Sequence, residues 1–145
     1  MLEFNEPNLR GPVAQPSNTI TALFYIIVGI LILNNDTSVG LSTIWVGITT
    51  IFFHSKNTLL GQWLDISSII ILIAILLFKG FPFTNLNQTN FFLGLVCILM
   101  GWILWILDIK KSKLIPKNHI LTGHGIWHIL TAISILFMYY SLPIH

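Results

Sequence analysis

The chain has 145 residues, of which 54% are hydrophobic and 8% are charged, and its net charge is +2. Soluble domains carry about 25% charged residues, so this composition, with a mean hydropathy of +0.83, indicates an integral membrane protein. No run of basic residues is long enough to follow a nucleic-acid backbone, which excludes nucleic-acid binding as the main activity. The single cysteine, Cys97, excludes an intrachain disulfide framework.

Five apolar runs are long enough to cross a membrane, since a helix spans the hydrocarbon core in about 17 to 25 residues. The predicted fold is therefore an all-α membrane bundle with about five transmembrane helices, formed by a single domain over residues 1–145. A polar arm, residues 1–17, precedes the first helix, and Pro16 predicts where that helix starts. The predicted spans cover residues 18–33, 38–54, 59–78, 91–107 and 120–140.

Lysine and arginine are distributed unevenly between the two ends of this bundle. With five crossings, the arm shares one side with the loops at 55–58 and 108–118, and that side holds six of the seven cations. The opposite side holds Lys79 alone. Because cytoplasmic loops carry the excess of Lys and Arg, we expect the N-terminus in the cytoplasm and the C-terminus outside.

Four ionisable side chains fall within the predicted spans, where such groups are costly unless they are paired, metal-bound or hydrated. His54 ends the second span, Asp65 lies early in the third, and His124 and His128 lie early in the fifth. The crossing pattern puts all four on the side of the N-terminus, at similar depth. Their convergence predicts one functional site, and we expect the arm to fold over its mouth.

His124 and His128 are about one helical turn apart, so both imidazoles can reach one ion. The same spacing suits two histidines that bond to backbone or line an interface. A third histidine, His54, and the carboxylate of Asp65 favour a metal site, because three protein nitrogens plus an open position are typical of catalytic zinc. Thr50 lies one turn before His54, where it either belongs to the site or bonds back to its own helix.

Three short motifs carry these residues and together resemble the alkaline ceramidase family: TTIFFH at 49–54, GQWLD at 61–65 and HGIWH at 124–128. That family belongs to a superfamily of seven-helix membrane hydrolases that includes the adiponectin receptors and Per1-type lipid-remodelling proteins. The segment QPSNTITALFY at 15–25 is similar to the family's NTxSN segment. The segment EFNEPN at 3–8 is similar to its N-terminal calcium loop.

The resemblance implies a zinc-dependent hydrolase that cleaves the amide of ceramide or a similar N-acyl lipid. It implies zinc bound by His54, His124 and His128, with a water in the fourth position. Asp65 would orient or deprotonate that water, and the hydroxyl of Thr50 would take the place of the family's serine. The family's calcium ligands would fall on Glu3, Glu6, Asn8 and Gln15.

The chain also departs from the family. Five spans replace seven, so the lipid pocket is either more open or closed by a second copy of the chain in a homo-oligomer. Gln15 stands where the ceramidases have a glutamate, which removes one negative charge from a calcium site, and the alternative for the arm is a solvated acidic segment. Two other classes of protein fit the histidines: a non-enzymatic haem carrier, and a receptor-like or structural zinc protein.

Overall fold

The computed structural model describes residues 4–81, 83–112, 114 and 121–143, and this part of the chain is helical without strands. The predicted all-α bundle is confirmed. The helices are α1 (Pro16–Thr21), α2 (Leu23–Leu33), α3 (Thr37–Lys56), α4 (Leu59–Gly80), α5 (Gln88–Ile109) and α6 (Gly123–Ser141). Their ends lie close to the predicted ones, and the largest difference is three residues, at the starts of α5 and α6.

Four segments of the described chain are long and apolar enough to cross a membrane. They are Pro16–Leu33, which joins α1 and α2, and the helices α3, α4 and α5. The chain is therefore a membrane protein. The predicted fifth span corresponds to α6, which has 19 residues and packs against α5. The helix α6 is not among these four segments, because the two histidines near its start reduce its apolar character.

Glycines allow α2 and α3 to pack with their backbones in contact. A Cβ atom at Gly29 would lie 2.8 Å from the carbonyl oxygen of Gly40, too close for any side chain. Small residues permit such close approach between helices in membranes. Asp36 caps the start of α3 by accepting hydrogen bonds from two backbone amides. This helical hairpin fixes the position of His54 in the last turn of α3.

A second hairpin is formed by α5 and α6. The hydroxyl of Ser134 on α6 donates a hydrogen bond of 2.8 Å to the carbonyl of Gly94 on α5, and Gly101 gives room to the ring of Trp127. Within the described residues, α4 packs on α3 but makes no extended contact with α5 or α6. A gap therefore separates α4 from the second hairpin.

Buried residues differ in kind along the bundle. An apolar core runs through its middle and includes Tyr25, Val46, Leu72, Ala132 and Tyr139. Polar side chains are buried instead at the end that carries the arm, where they include Glu6, Gln15, Asn18, Thr50, His54, Asp108, Thr122, His124 and His128. This polar end contains the candidate site.

Candidate metal centre

The three histidines predicted to converge lie together in the fold. His54 comes from the last turn of α3, and His124 and His128 come from the first two turns of α6. Their potential ligand atoms all lie within 4.8 Å of one another, and all three side chains are buried. Among the described residues, these three histidines are the group of potential ligands (His, Cys, Asp or Glu) that lie close enough together to hold a metal ion. The predicted cluster of three histidines is confirmed.

Oxygen atoms outside the cluster engage the Nδ1 atoms of two of these histidines. His54 Nδ1 lies 2.7 Å from Oε1 of Gln15, and His128 Nδ1 lies 3.1 Å from Oγ1 of Thr21. Thr21 directs its own proton to the backbone carbonyl of Ser17 at 2.9 Å, so its oxygen accepts from His128. Metal-binding histidines donate their second ring N–H in this way, which leaves the Nε2 atoms for the ion.

The spacing of the ring nitrogens also suits an ion. His54 Nε2 and His124 Nε2 are 3.1 Å apart, and two nitrogens bound to one tetrahedral zinc ion would be about 3.3 Å apart. The Nδ1 atom of His124 is buried without a hydrogen-bond partner in the described chain. The donor set of three buried imidazoles, with two Nε2 atoms at this distance, therefore fits a metal ion.

Asp65 and Thr50 lie beside the histidines, at a cavity of about 190 Å³. Thr50 Oγ1 donates a hydrogen bond of 2.5 Å to Asp65 Oδ1, and it also lies 2.7 Å from the carbonyl of Val46 on its own helix. Both sequence-based interpretations therefore have a contact in the structure, but the single hydroxyl proton of Thr50 can serve only one of these two acceptors at a time. The cavity is lined by Phe4, Tyr25, Thr50, Phe53, Gln62, Asp65, Ile66, Ile69, Trp102, Trp105, His124, Trp127 and His128.

The N-terminal arm covers this site, as the sequence predicted. The ring of Phe4 lies against that of His124, with 3.8 Å between centroids. The backbone amide of Asn5 donates to Asp108, and Glu6 accepts hydrogen bonds from the first amides of α1. Phe4, Asn5 and Glu6 are all buried, so the arm is packed onto the bundle.

The residues proposed for calcium have protein partners in the described chain. Glu6 binds backbone N–H groups with both carboxylate oxygens. Gln15 donates to Asn8 Oδ1 at 2.9 Å and turns its oxygen towards His54. Glu3 lies outside the described residues. Calcium binding by these residues therefore stays a prediction. The contact that the structure gives Gln15 is with His54 of the metal centre.

Sequence reasoning missed Asp108, which it placed in the loop at 108–118. Asp108 is in the last turn of α5 and is completely buried. Its Oδ2 accepts the Asn5 amide at 2.9 Å, and the carboxylate also lies against the backbone amides of Gly123 and His124. The sequence does contain one signal for a role of Asp108: it is an acidic residue at the end of an apolar run, on the same side of the bundle as the histidines.

A larger cavity of about 440 Å³ continues from the site along the gap beside α4. The two cavities share Tyr25, Ile69, Trp102 and Trp127 in their walls. The larger one is lined almost entirely by apolar side chains and reaches Leu142, just beyond the far end of α6. A hydrocarbon chain could follow this groove from the histidines to the other end of the bundle.

Comparisons with known proteins identify no relative: no family model, no curated protein and no solved structure matches the chain.

Proposed function

We propose that this chain is a zinc-dependent membrane hydrolase that cleaves the amide bond of ceramide or a similar N-acyl lipid. The observation that carries the proposal is that three histidines converge and that two of them, His124 and His128, border with Asp65 a cavity that continues into an apolar groove. The resemblance of the TTIFFH, GQWLD and HGIWH motifs to the alkaline ceramidases supports the same reaction.

Zinc held by His54, His124 and His128 would lower the pKa of a water molecule and polarise the carbonyl of the lipid. Asp65 borders the cavity, where its carboxylate can accept the proton of the attacking water and return it to the leaving amine. Thr50 donates to Asp65 and so fixes the orientation of that carboxylate. A contact between the Thr50 hydroxyl and the developing oxyanion would require this hydrogen bond to exchange.

The groove supports a lipid as the substrate. Its walls are apolar, and it runs beside the gap between α4 and the α5–α6 hairpin. A lipid in the membrane can therefore place its hydrocarbon chain in the groove and its polar linkage at the histidines without leaving the bilayer. In a homo-oligomer, a second copy of the chain would cover this gap and close the lipid groove.

The two other classes of protein are less well supported by the geometry. The ring centroids of the three histidine pairs are 4.4 to 5.0 Å apart, whereas a haem needs two histidines on opposite faces of a macrocycle. A structural zinc site is closed by four protein ligands. Three clustered histidines, of which His124 and His128 line a cavity, agree better with a catalytic ion.

Metal content and lipid turnover test the proposal together. Protein purified without chelator should contain one zinc per chain, and it should release fatty acid from a ceramide in detergent micelles. A chelator should remove both the metal and the activity, and added zinc should restore them. A zinc-loaded protein that cleaves no N-acyl lipid would contradict the enzymatic function, whereas strong Soret absorbance would favour the haem carrier.

A further inference from the structure

The side-chain amide of Gln15 lies at the junction of three parts of the protein. Its Nε2 donates to Asn8 Oδ1 in the arm at 2.9 Å. Its Oε1 faces His54 Nδ1 at 2.7 Å and also accepts from Asn18 Nδ2 at 3.1 Å. Gln15 is 2% exposed, so water does not replace these partners. Both ends of the amide are therefore occupied by specific protein groups.

The hydrogen bonds in this chain of groups have consistent directions, beginning at the start of α6. Thr122 Oγ1 accepts from the backbone N–H of Gly125 at 2.8 Å, so its single proton is free to donate to Asn18 Oδ1 at 2.7 Å. This orients the amide of Asn18 with its NH₂ group towards Gln15 Oε1. The atom facing His54 is therefore the Gln15 oxygen, which only accepts.

It follows that His54 carries its proton on Nδ1, because an oxygen without a hydrogen cannot donate to a bare nitrogen. The hydrogen bond made by one ring nitrogen decides which tautomer a histidine adopts. His54 Nε2 is then bare, and it is this atom that lies 3.1 Å from His124 Nε2 in the cluster. The tautomer is the one that a metal ion needs.

We propose that Gln15 is a positioning residue of the metal centre, which holds His54 in the tautomer with a bare Nε2 and joins this ligand to the arm through Asn8. The proposal rests on the metal site of the proposed function, but not on lipid hydrolysis. It gives Gln15 a role other than the calcium ligand that the family resemblance implied.

Metal affinity of the full-length chain in detergent micelles tests this role. The protein is stripped of metal and titrated with Co²⁺, whose visible absorption reports the ligand geometry. Gln15→Leu keeps the approximate size but removes the acceptor, and loss of such outer contacts weakens metal binding by about 10- to 100-fold. Gln15→Glu keeps an acceptor for His54 and should bind nearly as tightly as the unmodified protein.

Gln88→Leu is the matched control, since Gln88 is an exposed glutamine in the first turn of α5, at the other end of the bundle. It should leave Co²⁺ affinity unchanged. Unchanged affinity in Gln15→Leu would overturn the proposal. Equal weakening in Gln15→Leu and Gln15→Glu, with the helical circular dichroism intact, would also overturn it, because the lost contact would then be the one with Asn8.

A direct measurement covers the case in which Gln15→Leu does not fold. In the metal-free protein labelled with ¹⁵N-histidine, NMR should find the His54 proton on Nδ1, with the signal assigned by its loss in His54→Gln. A proton on Nε2 would overturn the proposal. Tight metal binding with no lipid turnover would contradict the proposed enzyme and leave the role of Gln15 intact, so the two failures are distinguishable.

Discussion

The backbone amide of Asn5 donates a 2.9 Å hydrogen bond to the carboxylate of Asp108, across 103 positions of sequence. The same carboxylate lies against the first backbone amides of α6, in the turn that carries His124. One buried side chain thus joins the arm, the end of α5 and the start of the metal-binding helix. The arm is held to the site by this residue as well as by the packing of Phe4 on His124.

We therefore predict that Asp108→Ala loosens the arm. Alanine removes both acceptor oxygens, so the buried backbone N–H of Asn5 loses the acceptor that it has in Asp108 Oδ2. A buried donor that loses its acceptor costs about 1–3 kcal/mol, which corresponds to roughly 5- to 150-fold faster hydrogen exchange. Mass spectrometry of the peptide that contains Asn5 measures this change. Exchange as slow as in the unmodified protein would show that Asp108 does not anchor the arm.

Asp65→Asn should retain zinc but lose at least about a hundredfold in lipid hydrolysis, because an amide cannot accept the proton of the attacking water. Thr50→Val, which removes the hydrogen bond to Asp65, should reduce hydrolysis less. The control Asp36→Asn makes the same change at the far end of the bundle and should remain active. If Asp65→Asn lost zinc as completely as His124→Ala, Asp65 would be a ligand instead of the base.

The local features of the site could be predicted from sequence because they depend on helical periodicity. His124 and His128 share a face through their spacing alone, and the apolar runs predict the positions of the long helices. The contact between Gln15 and His54 could not be predicted, since it joins residues 39 positions apart and depends on how α1 packs against α3. Asp108 was missed for a similar reason: its burial is produced by the arm and by α6.

The apolar groove should select long hydrocarbon chains. Ile73 lines the groove, whereas Ile71 does not, because two positions on a helix differ by about 200° in direction. Ile73→Trp should therefore slow the hydrolysis of long-chain substrates more than that of short-chain ones, with zinc content unchanged. Ile71→Trp is the matched control on the same helix and should not alter chain-length preference. Equal effects of both substitutions would argue against the groove as the chain site.

The ion pair between Asp36 and Lys79, 2.8 Å apart, should make stability depend on acid pH. Burial alone would raise the pKa of Asp36, but hydrogen bonds from Lys79, Ser38 and Val39 outweigh it and lower this pKa from 3.8 to about 2. Because the folded-state pKa is depressed, the stabilisation is present above about pH 4 and is lost as the pH falls towards 2.

Thermal unfolding in detergent measures this effect against Asp36→Asn, which keeps a capping side chain but removes the charge. The unmodified protein should melt at a higher temperature than the variant at pH 5, and the difference should disappear near pH 2. A difference that persists at pH 2 would mean that the ion pair is not its source.

The distribution of lysine and arginine bears on membrane orientation. Among the described residues, Lys79 is the cation at the end of the bundle that carries Asp36, whereas Arg10, Lys56, Lys110 and Lys111 lie at the end of the histidines. From the positive-inside rule we predict that the arm and the metal centre lie on the cytoplasmic side. With Cys97 replaced, a single cysteine at Ser112 should resist a membrane-impermeant thiol reagent in intact cells and react after lysis. A cysteine at Asn35, exposed in the turn between α2 and α3, should show the opposite pattern. Labelling at Ser112 in intact cells would invert the topology and place hydrolysis in the outer leaflet.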